Sequence, residues 1–268
     1  CISLTSVTIP DSVIIIDEYA FALCYSITSL TLGNSVTTIG TSAFYDCTSL
    51  ESANIPNATS IGQSAFNGCT SLVSVDFPKA TKAEGSIFSG CSSLKSASLR
   101  LLTEVSTYMF NNCANLESVE LPALKTSGIY LFAGCASIVS VELPALTAMP
   151  NAIFSGCTSL TSISCPNATS LGTNGFKDCS AIERIDLPKV KSFSSNAFQG
   201  CTNLKTLIIR STTRATHGSN MFTDTPIING TGYIYVPNSL LSSYKAASGW
   251  STYADQFRAI ENYPEICG

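Results

Sequence analysis

The side chains able to do chemistry in this sequence are twelve cysteines, one histidine and eighteen carboxylates, and the cysteines stand out by their spacing. Cys1, Cys24, Cys47, Cys69, Cys91, Cys113, Cys135, Cys157, Cys179 and Cys201 form one column, in steps of 22 or 23 residues. Zinc needs clustered ligands, but no C-x-x-C occurs, and the closest pair, Cys157 and Cys165, is eight residues apart. A catalytic thiol is one activated residue, and ten equivalent residues cannot each be special. Disulfides between neighbouring units stay open on distance, because strands about 4.8 Å apart bring Cα atoms within bridging range. Parallel Cβ vectors would strain such a bridge. The preferred reading is a ladder of small buried thiols that also hydrogen-bond weakly to the turn backbone.

His217 stands in a Thr-, Arg- and Gly-rich insertion with Arg214 nearby, and reads as a solvated loop residue. Without a second histidine no Ser/His/Asp set can be built around another centre. Carboxylates scattered over an open surface lack the enclosed pocket that hydrolysis needs. The expectation is therefore no enzyme, no cofactor and no metal site.

Stepping out from each cysteine gives the elements that hold the column in place. Three residues on comes an aliphatic: Leu4, Ile27, Leu50, Leu72, Leu94, Leu116, Ile138, Leu160, Ile182 and Leu204. In residues 47–69, Leu50, Ala53 and Ile55 give an L-x-x-L-x-L pattern whose last part alternates with the period of a strand. Proline follows in seven units, at Pro10, Pro56, Pro78, Pro122, Pro144, Pro166 and Pro188. Lacking an N–H, it suits the end of a strand rather than its middle. The second half of each unit returns the chain through one inward aliphatic, such as Ile39 or Ile61, and one phenylalanine from Phe21 to Phe222. Residues 64–66 read as a short helical turn capped by Gly68, with Leu23 the exception among the Gly, Asn and Asp that precede the other cysteines.

A period of this length means a solenoid, in which each unit buries its apolar face against its neighbours. The predicted fold is α/β: a right-handed leucine-rich-repeat solenoid with one short parallel strand per 22–23-residue repeat and short helical or 3-10 turns on the convex side. The repeat array is assigned to residues 1–224. Residues 225–268 are assigned to a degenerate last repeat and a helical carboxyl-terminal cap. There Ser239 can cap a helix carrying Leu240, Leu241 and Tyr244, and Trp250, Tyr253, Ala254 and Phe257 follow with a helical period. Trp250 is read as cover for the last unit rather than as a binding box. The amino end shows no comparable cover, so further repeats or another domain are expected before Cys1.

Composition narrows the partner. Apolar residues make up 45% of the chain and charged ones only 12%, with a net charge of −4. No basic run exists for phosphate binding, so nucleic acid is not expected. No apolar stretch approaches a membrane span, so membrane insertion is not expected either. Two strand positions should face outward on the concave side. The candidate partner-binding residues there are Ser74, Asp76, Ser96, Ser118, Glu120, Ser140, Glu142, Ser162, Arg184 and Asp186. The small hydroxyls let strands crowd on the inside of a curve, and the acidic middle suits a basic or hydroxyl-rich partner. Ile208 belongs to the same outward column.

The unit C-x-x-L-x-x-I-x-L-P-x-A-x-x-I-x-x-x-A-F-x-G resembles the BspA-like leucine-rich repeats of bacterial surface proteins. The match runs from residue 1 to about residue 224, and the tail from Thr231 resembles the segment that closes such arrays. Arg100 and Arg210 depart from the pattern by replacing the proline after the strand. The resemblance implies a secreted or cell-surface, non-catalytic protein that binds a host or bacterial protein, and the chain is expected to be a monomer. A structural spacer presenting another domain is the alternative. Within the resemblance Cys1 belongs to the repeat column, although a lipid-modified first residue is the other reading of that position.

Overall fold

A computed structural model describes residues 3–267 of the chain; Cys1, the first member of the cysteine column, lies outside them. The first half of each unit forms a short strand, from Ser6–Ile9, Ser29–Leu32 and Ser52–Asn54 through to Arg184–Leu187 and Thr206–Ile209. Every pairing among these strands is parallel and in step with the repeat: Ser52 lies beside Ser74, Ser74 beside Ser96, and Ser96 beside Ser118. Tyr233–Val236 and Phe257–Ala259 extend the last ladder by two more parallel strands. Alternation decides which side is buried. Ala53, Val75 and Ala97 point into the core, while the residues flanking each of them point out.

Most units also contribute more than the single strand expected, and the units after Cys135 and Cys201 add only single bridges at Met149 and Thr216. The return segments form a second row of two-residue strands, such as Thr38–Ile39, Ser60–Ile61 and Lys82–Ala83, again parallel. Polar Thr or Ser faces out there and an aliphatic faces in, so a two-residue alternation suffices once a neighbour supplies the ladder. The core between the two rows is continuous. Phe44, Phe66, Phe88, Phe110, Phe132, Phe154, Phe176, Phe198 and Phe222 are fully buried. Their rings stack along the axis with neighbouring centroids 5.2–5.9 Å apart.

The return turns are tighter than helices. Asn67 N–H donates to Ser64 O and Cys69 N–H to Phe66 O within the unit, while Ser64, Phe66 and Gly68 N–H groups donate to the next unit. Ser64 (φ 56) and Gly68 (φ 74) are both left-handed, so residues 64–66 are a hydrogen-bonded turn and do not complete the expected helical one. A left-handed residue every fourth position redirects alternate N–H groups between units, which turns the segment into a ladder. Leu23 occupies that left-handed position (φ 59) and is 45% exposed. Leu23→Asn is therefore expected to stabilise the chain by about 1 kcal/mol, because asparagine tolerates this backbone and little apolar burial is lost. A lower melting temperature for the variant would show that the leucine side chain is held by contacts outweighing the strain.

The carboxyl end departs from the expected cap in detail. A helix, α1, spans Asn238–Ala246, so Ser239 lies inside it, and no side chain from within the helix caps it. The Glu261 carboxylate instead accepts the Asn238 N–H at 2.9 and 3.1 Å, placing negative charge at the helix amino end. Residues 250–256 form a 3-10 turn, and Phe257 begins a strand rather than continuing a helix. Trp250 is 1% exposed and packs edge-on against Phe193, Tyr244 and Phe257. Its indole N–H donates to Ala215 O at 2.8 Å, and Tyr244 Oη accepts the Ala215 N–H at 2.8 Å. Ala215, one residue of the 213–218 insertion, is thus the hydrogen-bonded seat of the cap.

Candidate interaction surface

Ser74, Asp76, Ser118, Glu120, Ser140, Glu142, Ser162 and Arg184 are exposed, and Ser96 and Asp186 are half-buried. They lie in two outward columns of the first sheet. One column runs Ser52, Ser74, Ser96, Ser118, and later Arg184, Thr206, Tyr233. The other runs Asn54, Asp76, Ser98, Glu120, and later Asp186, Ile208, Tyr235, Arg258. Shallow depressions follow the face. One of about 400 Å³ is lined by Asp76, Ser98, Arg100 and Glu120, and the next, of about 300 Å³, by Val119, Leu121, Glu120 and Glu142.

The two arginines that replace proline give this face its charge pattern. Arg100 Nε lies 2.6 Å from Glu120 Oε2, and Ser98 Oγ donates to the same oxygen at 3.0 Å. The Arg100 hydrogen bond, then that of Ser98, holds the Glu120 carboxyl below its usual range. Arg210 grips Asp186 with two nitrogens at 2.8–3.1 Å and donates to Ile266 O at 2.6 Å. Two of the carboxylates in the expected acidic trough are therefore already paired within the chain. The face alternates in sign more than the count of acids implies. Ile208, expected to face solvent, is fully buried with Tyr235, Ile260 and Ile266, because the segment after the last strand folds back over the sheet.

The thiols lie on the inner side. Cys24, Cys47, Cys69, Cys91, Cys113, Cys135, Cys157, Cys165, Cys179 and Cys201 are free and buried. Cys69 Sγ donates to Phe44 O and Cys113 Sγ to Phe88 O at 3.1 and 3.0 Å, and the same bond recurs along the column. Burial pushes the Cys91, Cys157 and Cys165 thiols up to about 12, far from the thiolate that reacts. Iodoacetamide at pH 8 is expected to leave these cysteines unmodified in the folded protein and to label them all in denaturant, as read by intact mass. Rapid labelling of the folded chain would contradict the burial. Among the described residues no cluster of His, Cys, Asp and Glu is placed to hold a metal ion. No helix of the described chain is long and apolar enough to cross a membrane.

The model of the BspA type leucine rich repeat region matches this chain in six copies, over residues 1–117, 57–148 and 125–245. The chain belongs to the BspA-type leucine-rich-repeat family. A leucine-rich repeat protein from Bacteroides ovatus is 26% identical over 97% of this chain and 79% of its own, with a TM-score of 0.54. The leucine-rich repeat protein of T. pallidum is 30% identical over 63% of this chain and 72% of its own, with a TM-score of 0.50. A leucine rich cell surface protein of Faecalibacterium prausnitzii is 19% identical over 94% and 91% of the two chains, with a TM-score of 0.47. No curated protein matches this chain. BspA-type repeats are generally non-enzymatic, and membership supports a protein-interaction module.

Three features of this BspA-type chain escaped the pattern reading. The strand Tyr233–Val236 follows from its alternating Tyr-Ile-Tyr-Val, but Phe257–Ala259 beside it, which adds Arg258 to the outward columns, carries no such signal. The pairing of Arg100 and Arg210 with acids one unit away had no signal beyond the missing proline. His217 is not a solvated loop residue. Its ring packs edge-on against Trp250 at 4.8 Å and beside Tyr253 at 5.8 Å, with Nε2 buried and unpaired. Burial lowers its pKa from 6.5. As pH falls through 6.5 the unfolded chain takes up a proton that the folded imidazole resists, so stability is lost on acidification. Melting temperature between pH 7.5 and 5.5 is expected to fall more steeply in the wild type than in His217→Phe. Parallel slopes would place the imidazole in water.

Proposed function

We propose that this chain is a secreted or cell-surface bacterial module that binds another protein through the outward face of its long parallel sheet. The observation that carries the reading is the register of that face. Small hydroxyls and carboxylates stand side by side over successive strands, on a surface built from two- and four-stranded parallel ladders. Such a surface offers area and hydrogen bonds but few deep pockets, which suits a protein partner better than a small molecule. Serine-rich contacts give modest single-site affinity, and display of many copies on a cell supplies avidity. The ten residues from Ser74 to Asp186 named above are the proposed contact set, and one chain acts as a monomer.

The test is surface plasmon resonance of the purified chain against a panel of extracellular-matrix proteins, serum proteins and bacterial surface extracts. Saturable binding to at least one of them is expected. A flat response across the whole panel would overturn the reading.

A further inference from the structure

The outward face changes character along its length. Over its middle strands the outward columns carry Asp76, Glu120 and Glu142, with Arg100 paired to Glu120. At the carboxyl-terminal end Arg184 and Arg210 flank Asp186, and Arg258 lies three strands on beside Tyr235, with Glu265 near Tyr235 as a further carboxylate. The aromatic residues of the face lie at this end too. The Arg258 guanidinium sits over the Tyr233 ring, 4.3 Å from its centroid, and its Nη1 donates to Asp255 O and Phe257 O. Its Nε and Nη2 groups make no hydrogen bond to described residues and stay available for a ligand. Arg184 stands in the same column as Tyr233, two strands away, which is about 10 Å at ordinary strand spacing.

Tyr and Arg dominate tight protein interfaces, because both present large, flat groups that lose little conformational freedom on binding. The serine columns supply area without such anchors. We propose that Tyr233, Arg258 and Arg184 form the anchor of the interaction surface and take an acidic peptide segment carrying an aromatic side chain. This rests on the protein-binding reading above and adds where on the face the partner is held and by what chemistry. One carboxylate of the peptide meets the free donors of Arg258, a second meets the Arg184 guanidinium, and an aromatic ring packs beside Tyr233. Charge complementarity sets the sign: this end attracts acid, and the middle of the face repels it.

The experiment is fluorescence anisotropy of the full chain with the labelled peptide Glu-Tyr-Glu-Ser-Glu-Tyr-Glu and its lysine counterpart, in about 50 mM salt to limit screening. The acidic peptide is expected to bind saturably, and the lysine peptide about tenfold more weakly or not at all. Tyr233→Ala and Arg258→Ala each weaken the acidic peptide about fivefold, whereas Asp76→Asn with Glu142→Gln changes it less than about twofold. Melting temperatures are measured alongside; should Arg258→Ala unfold, the exposed Arg184→Ala carries the same expectation. Absence of saturable binding, equal binding of the lysine peptide, or indifference to Tyr233, Arg258 and Arg184 overturns the proposal. A panel partner whose binding ignores these three residues would sink the anchor alone and leave the interaction module standing.

Discussion

Phe110→Ala is expected to destabilise the chain by about 3–5 kcal/mol, the range for removing a fully buried aromatic ring. The ring lies 5.5 Å from Phe88 and 5.7 Å from Phe132, so its loss opens a gap at the centre of the stack and strips one face from both neighbours. Collapse cannot close the gap cheaply, because the flanking units are held in register by backbone ladders on both sides. The damage should also be local. A solenoid unit touches only its neighbours, so hydrogen exchange is expected to quicken most in the units holding Phe88, Phe110 and Phe132. Urea unfolding gives the magnitude. A loss below about 1 kcal/mol would mean that the aromatic column is not the spine of the core.

Trp250→Ala is expected to cost a similar amount, about 3–5 kcal/mol, but to act at one end. The indole fills the space between Phe193, Phe257 and Tyr244 and donates to Ala215 O. Truncation leaves that carbonyl unpaired as well as opening a cavity. Limited proteolysis is expected to cut the variant within residues 211–263 while the array around Phe110 stays protected. Tyr244→Phe removes only the hydroxyl that accepts the Ala215 N–H, so about 1–2 kcal/mol is expected from it. Uniform unfolding of the Trp250 variant, with no preference for the carboxyl end, would show that cap and array form one cooperative unit.

These effects separate what the repeat made legible from what it did not. Counting from the cysteines placed Ser52, Ser74, Ser96 and Ser118 in one outward column, because a constant repeat length forces neighbouring strands into register and a one-residue slip would bury every serine. The phenylalanine column was equally readable. The second row of strands was not, since a two-residue strand has no period of its own and exists only through the units beside it. The turns around Ser64 were misread as helical because Gly68 looks like a helix cap, while Ser64 itself is left-handed.

Ile208 and His217 depart from expectation for one cause: contacts with segments that the repeat does not describe. Ile208 obeys the outward alternation, yet Ile260 and Ile266 return more than fifty residues later to cover it. His217 looked solvated within its insertion until Trp250 packed against it. Arg100 and Arg210 read as lost prolines, although each long side chain reaches the carboxylate of an adjacent unit. A repeat pattern predicts what recurs, and charge pairing at one unit does not recur.

A partner held on the outward sheet face should be displaced by long side chains placed there and unaffected by one placed elsewhere. The most direct measurement compares three variants of the full chain against whichever panel protein binds the wild type. Ser118→Arg and Ser140→Arg place long side chains on that face, and Thr103→Arg places one on the exposed return side. The two face variants are expected to lose binding by at least about tenfold at unchanged melting temperature, while Thr103→Arg binds like the wild type. Binding lost in Thr103→Arg and kept in both face variants would contradict that placement of the partner.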